Sequence, residues 1–316
     1  MFRWPELRPP EWLVLAYFTY VSVLASWEAA SHSAASQAAV SEPAISKVAA
    51  SLGGSLSRGI PRVAGIAPRT WLLTLAVAAS LLILSRIHGK RGRLLRDFAP
   101  LAFTLFAYRE MDWFTPAVRD HHLERVWIVW DRWALDQHHL RAVIEGAGAL
   151  IPSGLELCYL LVYGIAPVSL ALLFLNGRRD HVSRFWMAYL AGTLGAYALF
   201  PYFPSEPPRI VFSGADLPHI ATVFRRVNLW ILGGYAIHSS VFPSAHVSSA
   251  FSAAWALFAT IPKRPWIGSG MTLYAILVAI ATVYGRYHYA ADALAGLAVS
   301  FLAVLSLTLS SPEAFT

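Results

Sequence analysis

Eight apolar stretches, each long enough to cross a lipid bilayer, constrain this 316-residue chain more than any other feature. A membrane-spanning helix needs about 20 predominantly apolar residues, or somewhat fewer where polar ends reach the interface. The composition agrees, since 57% of the residues are hydrophobic and 14% are charged, whereas a soluble domain carries about 25% charged residues. We therefore predict an all-α, polytopic membrane helical bundle. Its spans are expected near residues 12–30, 70–87, 97–115, 153–176, 184–203, 246–262, 267–285 and 290–310.

Three short basic loops, residues 86–96, 177–184 and 262–265, orient these spans. Short loops that carry Lys and Arg remain in the cytoplasm. With eight spans and a cytoplasmic N-terminus, His246 at the start of span six and His288 at the end of span seven share the outer face. The predicted outer loops are 31–69, 116–152, 204–245 and 286–289. The first of them also carries basic residues, which long loops tolerate.

The net charge of +7 comes from basic residues that are scattered at the ends of apolar runs and form no stripe. They indicate topology signals and lipid contacts, so we expect a membrane as partner and no nucleic acid. Cys158 is the single cysteine, which excludes an intrachain disulfide and a cysteine-based metal site.

The N-terminal third offers no candidate chemistry. Arg3 and Arg8 before an apolar run resemble a signal peptide, but residues 25–30 form a weak cleavage site, and we predict a retained first span. Residues 31–68 are rich in Ala, Ser and Gly, so they are either a mobile linker or an interfacial helix around 44–56.

Residues 241–249, Val-Phe-Pro-Ser-Ala-His-Val-Ser-Ser, are a polar turn that opens into an apolar helix. Pro243 suits a helix start and Ser244 is a good N-cap. Unpaired N–H groups and the helix dipole make such an end an anion site, with His246 beside it. The alternative is a capped membrane helix with an incidental interfacial histidine.

His288 and Asp292 are four residues apart, so a helix that begins near His288 places them on one face. The carboxylate can accept the Nδ1–H of the imidazole and leave Nε2 basic, which prepares a nucleophile. Arg286 beside the pair favours bound anions. The alternative is an interfacial His–Asp hydrogen bond without chemistry.

The prolines in residues 200–211 exclude regular helix and sheet and predict a rigid turn that holds Arg209 in one position. Guanidinium groups suit bidentate phosphate contacts. The alternative is a proline-rich exit from span five with a snorkelling arginine. Phosphoryl transfer without a metal needs a set of groups that these motifs supply together on one face: an arginine, a helix N-terminus and two histidines.

These motifs, Pro-Pro-Arg at 207–209, Phe-Pro-Ser-Ala-His at 242–246 and His-Tyr-Ala-Ala-Asp at 288–292, resemble the three signatures of the type 2 phosphatidic acid phosphatase (PAP2) superfamily. Their form is most similar to its inositol phosphorylceramide synthase-like branch. The resemblance covers about residues 97–310. It implies a PAP2-like six-helix catalytic domain at 97–316, preceded by additional spans and a linker at 1–96, and a phosphohistidine mechanism with no metal and no cofactor.

Carried over by position, the resemblance implies that His288 is the nucleophile, Asp292 its orienting group and His246 the general acid and base. Arg209 would bind the phosphate, with Ser244, Ala245 and the N–H groups of 244–246 completing the cradle. Two cations of the usual pattern are absent, since Tyr202 and Thr282 occupy their places. We expect Arg286 to replace one of them.

Charges at the outer ends of other spans have no motif: Arg109, Glu110, Asp112 and Glu156. Charge at membrane depth is costly, so we expect these side chains to line a headgroup or acceptor pocket. An Arg109–Glu156 or Arg109–Asp112 ion pair that only joins helices is the alternative. Residues 119–149 are expected to form an amphipathic helix on the outer surface, with tryptophans at headgroup depth.

The predicted function is that of an integral membrane lipid phosphatase or phosphotransferase. It would act on a phospholipid or polyprenyl (di)phosphate at the extracytoplasmic face of the cytoplasmic membrane. The alternative from another class is a lipid or anion transporter or binding protein without phosphoryl chemistry. The adjacent histidines at 121–122 and 138–139 lack the i, i+4 spacing of a chelating pair, so no metal site is predicted.

Overall fold

The computed structural model describes residues 6–41, 66–114, 118, 120–214, 216–237 and 241–310. This part of the chain is helical and contains no strand, as predicted. The interfacial helix expected at 44–56 lies outside it. The helices are α1 Pro9–Ser41, α2 Ile66–Arg86, α3 Gly89–Phe114, α4 His122–Arg132, α5 Leu140–Gly146, α6 Leu150–Leu160, α7 Ile165–Leu175, α8 Val182–Leu199, α9 Pro208–Val211, α10 Val223–Tyr235, α11 Ala245–Thr260, α12 Pro265–Tyr284 and α13 Ala290–Ser310.

A helix occupies each of the eight predicted spans, with α6 and α7 joined by a 3₁₀ turn at Leu161–Gly164 to form the fourth. Within the described residues, five spans are long and apolar enough to cross a membrane. They are Pro9–Ser31, Ile66–Arg86, Leu150–Leu175, Pro265–Tyr284 and Ala290–Leu309. The chain is therefore a multi-pass membrane protein.

The chain folds into two compact units, of which the first comprises residues 1–7 and 11–96 and the second comprises 8–10 and 97–316. In the first unit, the hydroxyls of Ser22 and Thr74 lie 2.9 Å apart, and the Thr74 hydroxyl donates to the Phe18 carbonyl at 3.0 Å. Arg96 forms an ion pair with Glu11. These interactions join α1 to α2 and to the start of α3.

In the second unit, α11 is the central helix and packs against α8, α12 and α13. It has small side chains on several faces, and Ala250, Ala253 and Ala254 are fully buried. Small residues allow helix backbones to approach closely. Here Ser248 of α11 donates to the carbonyl of Gly192 in α8 at 2.8 Å. This packing sets the position of the first turn of α11, which carries His246.

The absence of a side chain at Gly296 lets α13 pack against the start of α11. A methyl group at this position would overlap the Ser244 carbonyl oxygen. We expect Gly296→Ala to destabilise the protein by about 1–3 kcal/mol, since backbone cannot give way as a side chain does. Thermal unfolding in detergent measures this. Gly270→Ala on α12 is the control, because a methyl group there meets nothing within 4 Å and should be neutral or stabilising by up to about 1 kcal/mol. Equal unfolding temperatures for Gly296→Ala and wild type would contradict the packing argument.

The amphipathic segment expected over 119–149 is helical but not continuous. α4 and α5 are separated by a π turn at Trp133–Gln137, and His139, the N-cap of α5, lies in the left-handed region at φ 55°. α4 buries Trp127 and Asp131 while it exposes Val126, Val129 and Trp130. The apolar side chains of α4 are therefore divided between a buried face and an exposed face, and each face includes a tryptophan.

Candidate active site

His246 lies in the first turn of α11, whose N-cap is Ser244 as predicted. The Ser244 hydroxyl accepts the N–H of Val247 at 3.4 Å. The Ser244 N–H donates to the carbonyl of Asp292 at 2.9 Å. The helix start that holds one histidine is thus tied directly to the helix that holds the carboxylate of the other.

His288 lies in the short connection between α12 and α13, and Asp292 lies in the first turn of α13. The Nδ1 atom of His288 is 3.3 Å from Oδ2 of Asp292, which also accepts the N–H of Tyr289 at 2.9 Å. The Nε2 atom of His288 is 3.3 Å from Nδ1 of His246. The structure therefore brings the two histidines and the aspartate into one chain of contacts.

The contact with Asp292 assigns the proton of neutral His288 to Nδ1 and leaves a lone pair on Nε2. Burial, followed by the nearby Arg209 guanidinium, lowers the pKa of His288 from 6.5 to about 3. The imidazole is consequently neutral near pH 7. A neutral ring with its free nitrogen directed at a second histidine has the form of a nucleophile paired with a proton donor.

A cavity of about 520 Å³ opens onto both histidines. Its charged lining consists of Arg109 and Arg209, and no carboxylate lines it within the described part of the chain. Buried arginines outside the cavity are paired with carboxylates instead, as Arg225 is with Glu156 and Arg286 with Asp131. Arginines that face a cavity without carboxylates, beside histidines, make it suited to an anion. Its tyrosines are Tyr108, Tyr159, Tyr163, Tyr189, Tyr197, Tyr235 and Tyr287.

Arg209 is held at the cavity by backbone contacts. Its N–H donates to the Arg286 carbonyl at 3.1 Å, and its Nη1 donates to the Tyr287 carbonyl at 3.5 Å. The proline-rich segment does contain a short helix, contrary to our expectation, because Pro208 occupies its first turn, where no N–H is needed. The Pro-Pro-Arg motif did not predict that Arg209 would lie next to the 285–289 connection.

Arg286 does not line the cavity. Its buried guanidinium contacts Asp131 of α4 at 2.8 Å and Asp216 at 3.4 Å. Asp131 also accepts the N–H of Ala290 at 2.9 Å. Burial raises the pKa of Asp131 to about 6, and the Arg286 charge opposes this shift. Arg286 therefore attaches the connection between α12 and α13 to α4.

We expect Asp131→Ala to destabilise the protein by about 3–5 kcal/mol, because it leaves Arg286 buried without its closest partner. Thermal unfolding in detergent, with recovery tested in the Asp131→Ala, Arg286→Leu double variant, measures this. Asp120→Ala is the control, since Asp120 pairs with His122 at an exposed site and should change stability by less than about 1 kcal/mol. If the two aspartate variants unfolded alike, the Arg286 pair would not be an anchor.

The four charged residues without a motif have separate surroundings. Arg109 lines the cavity and donates to the Tyr235 carbonyl at 3.1 Å. Glu156 pairs with Arg225 rather than with Arg109. Glu110 is fully buried, and neither of its carboxylate oxygens has a hydrogen-bond partner among the described residues. Of the four, only Arg109 lines the cavity as far as the described chain defines it. Arg225 was not anticipated, because α10 lies in a segment that was predicted to be a loop.

Fold and site thus define a multi-pass helical membrane protein with two facing histidines at an arginine-lined cavity. A model of the PAP2 superfamily matches residues 128–306, which are more than half of the chain and include all three motifs. The chain belongs to this superfamily, and the membership indicates a membrane phosphatase-type function. The match names the superfamily and not a branch.

One curated relative, from Dictyostelium discoideum, is described as a PA-phosphatase related-family protein. It is 36% identical over 74 residues, which are 23% of this chain and 13% of the relative. The alignment therefore covers a small part of that protein. No solved structure was found to match this chain.

Proposed function

We propose that the protein is a lipid phosphatase or phosphotransferase that works through a phosphohistidine at His288. The observation that carries this proposal is the series Asp292, His288 and His246, with both intervening contacts at 3.3 Å, at a cavity with two arginines. Superfamily membership supports the general class. This geometry, together with the motif resemblance, supports the residue roles that follow.

In the first half-reaction, the Nε2 lone pair of His288 bonds to phosphorus while the bond from phosphorus to the leaving oxygen breaks. Protonated His246 gives its proton to that oxygen and becomes neutral. The bound phosphate favours the protonated form of His246 beforehand, since opposite charges stabilise each other. Asp292 stabilises the positive ring of the phosphohistidine. The two rings must separate to admit the phosphoryl group.

In the second half-reaction, neutral His246 removes a proton from water or from an acceptor alcohol. The oxygen bonds to phosphorus, the bond to His288 breaks, and His246 is left protonated for the next cycle. If the phosphorus carries no ester group, water yields phosphate and an alcohol yields a new phosphate monoester. If it keeps one ester group, water yields a monoester and an alcohol yields a new phosphodiester. The mostly apolar walls of the cavity favour the exclusion of water and so favour transfer to an acceptor alcohol over hydrolysis. Transfer to an alcohol is the reaction that the inositol phosphorylceramide synthase-like branch would require.

Arg209 would hold the phosphate, with the N–H group of Ala245, which lines the cavity. Contrary to the expectation from the motif, Ser244 does not line the cavity, and its N–H is already bonded to the Asp292 carbonyl. Arg109 would supply the second cation that the motifs lack at Tyr202 and Thr282. It suits this role better than Arg286 because it lines the cavity, where no carboxylate of the described chain faces it. Arg286 would instead keep the His288 connection in place.

The basic loops support a site on the extracytoplasmic face of the cytoplasmic membrane. The substrate would be a phospholipid or a polyprenyl (di)phosphate, since a lipid phosphate can lie with its headgroup at a span end. These assignments depend on the positions of His246 and His288 at the ends of their spans.

The test is phosphate release from a panel of phospholipids and polyprenyl diphosphates by detergent-purified protein with EDTA present. Labelled-lipid transfer to alcohol acceptors is measured in parallel. Turnover in EDTA that disappears in His288→Ala supports the proposal and identifies the lipid. If neither assay shows turnover that depends on His288, the proposal fails and a transporter or binding protein becomes the better hypothesis.

A further inference from the structure

Tyr287 touches each proposed catalytic group directly or through one neighbour. It precedes His288 in the chain, and its carbonyl accepts from Arg209, whose guanidinium lies 5.8 Å from the centre of its ring. Its ring stacks on Tyr159 with centroids 3.9 Å apart, and Tyr159 lies against His246 at 5.2 Å. A shift of this ring would therefore move the phosphate-binding arginine and both histidines.

The Tyr287 hydroxyl is held by Glu156 of α6, at 2.5 Å from Oε2. Glu156 is 2% exposed and also accepts from Arg225 at 2.9 Å and from Asn228 at 2.8 Å. Arg225 donates in addition to the carbonyl of Gly285 at 3.1 Å. A buried carboxylate is costly unless it is paired and hydrogen-bonded, and here its partners come from α10 and from the connection that carries His288.

We propose that Glu156, together with Arg225 and Asn228, is a positioning residue for phosphoryl transfer that acts through the hydroxyl of Tyr287. This inference rests on the proposed function. Glu156 does not line the cavity, so it makes no contact with a substrate there. Its effect reaches the reacting atoms because the phenol that it holds fixes Arg209 and the connection at His288. A displacement of about 1 Å of the reacting groups can lower the rate of the chemical step by about 100-fold.

The experiment compares Tyr287→Phe and Glu156→Gln with wild type and with the double variant. Tyr287→Phe keeps the ring, its stacking and its backbone, and removes only the hydroxyl and with it the bond to Glu156. We expect kcat for dioctanoyl phosphatidic acid in detergent micelles to fall about 10- to 100-fold in each single variant. In the double variant the fall should be clearly smaller than the product of the two single falls, because both residues act mainly through the same hydroxyl and only the contact of Arg225 with the Gly285 carbonyl lies outside it.

Glu145→Gln is the matched control. Glu145 also accepts from a tyrosine hydroxyl, that of Tyr284 at 3.1 Å, but this bond lies outside the connection that carries His288. It should leave kcat unchanged. Thermal unfolding of every variant separates loss of positioning from loss of structure, since a purely structural Glu156 would lower the unfolding temperature while kcat of the folded protein stayed at the wild-type value.

Unchanged kcat in folded Tyr287→Phe would overturn the inference, as would additive effects in the double variant. If the wild type converts the lipid in a His288-dependent way while these variants match it, the inference fails and the proposed function stands. If the wild type shows no His288-dependent turnover of this lipid, or of the panel lipid that replaces it, both fail together.

Discussion

Replacing His288 with alanine is expected to lower turnover by about 100-fold or more and to abolish the covalent phosphoenzyme. In the proposed mechanism, the Nε2 atom of this ring supplies the electron pair that bonds to phosphorus. Its position is set by Asp292 on one side and His246 on the other, each at 3.3 Å. The measurement is turnover of the panel lipid, with phosphorus-labelled lipid used to detect protein-bound label after rapid quenching.

His122→Ala is the control for this experiment, because the side chain of His122 is 67% exposed and pairs with its neighbour Asp120 on the surface. It should retain wild-type turnover. Labelled protein in His288→Ala at the wild-type level would show that the phosphoryl group is carried elsewhere and would remove the mechanism.

Replacing His246 with alanine is expected to lower turnover of a lipid phosphate by a similar factor of about 100-fold or more, with a different signature. The leaving oxygen of a lipid alcohol needs a proton, whereas the nitrophenolate of p-nitrophenyl phosphate does not. The first half-reaction of the aryl phosphate should therefore be slowed less. The second half-reaction still lacks its base, so labelled phosphohistidine should accumulate on His246→Ala and be absent from the His246→Ala, His288→Ala double variant.

Ser249→Ala serves as the comparison for His246→Ala. Ser249 also lies in the first turns of α11 and lines the same cavity, but its hydroxyl donates to the His246 carbonyl and takes no part in the proposed proton transfers. It should accumulate no phosphoenzyme. Equal losses for lipid and aryl phosphates in His246→Ala, with no accumulated label, would assign His246 a role other than acid and base.

The helices and the local geometry of the three motifs could be predicted from the sequence because both depend on local chemistry. Apolar length determines where a span is formed, so a helix occupies every predicted span. Ser244 caps α11 because a serine before an apolar run can accept a first-turn N–H. The four-residue spacing of His288 and Asp292 brings their side chains together at the start of α13, although His288 itself precedes the helix.

Partners that are distant in the chain could not be predicted in this way. Arg286 was expected at the phosphate because it is two residues from His288, yet its guanidinium turns to Asp131, 155 residues away. Glu156 was considered as a partner of Arg109, and the folded chain pairs it with Arg225 instead. Several carboxylates were available to each arginine, and sequence spacing does not choose among them.

The sequence by itself determined that this chain is a helical membrane protein with three motifs of the PAP2 superfamily at the ends of its spans, because hydropathy and helix capping act over a few residues. Only the tertiary structure decided which cations face the cavity and which are held in buried ion pairs. The physical reason is that packing α4, α6 and α10 against the 285–289 connection sets the burial and the neighbours of each charge. A buried charge is stable only with the partner that packing provides.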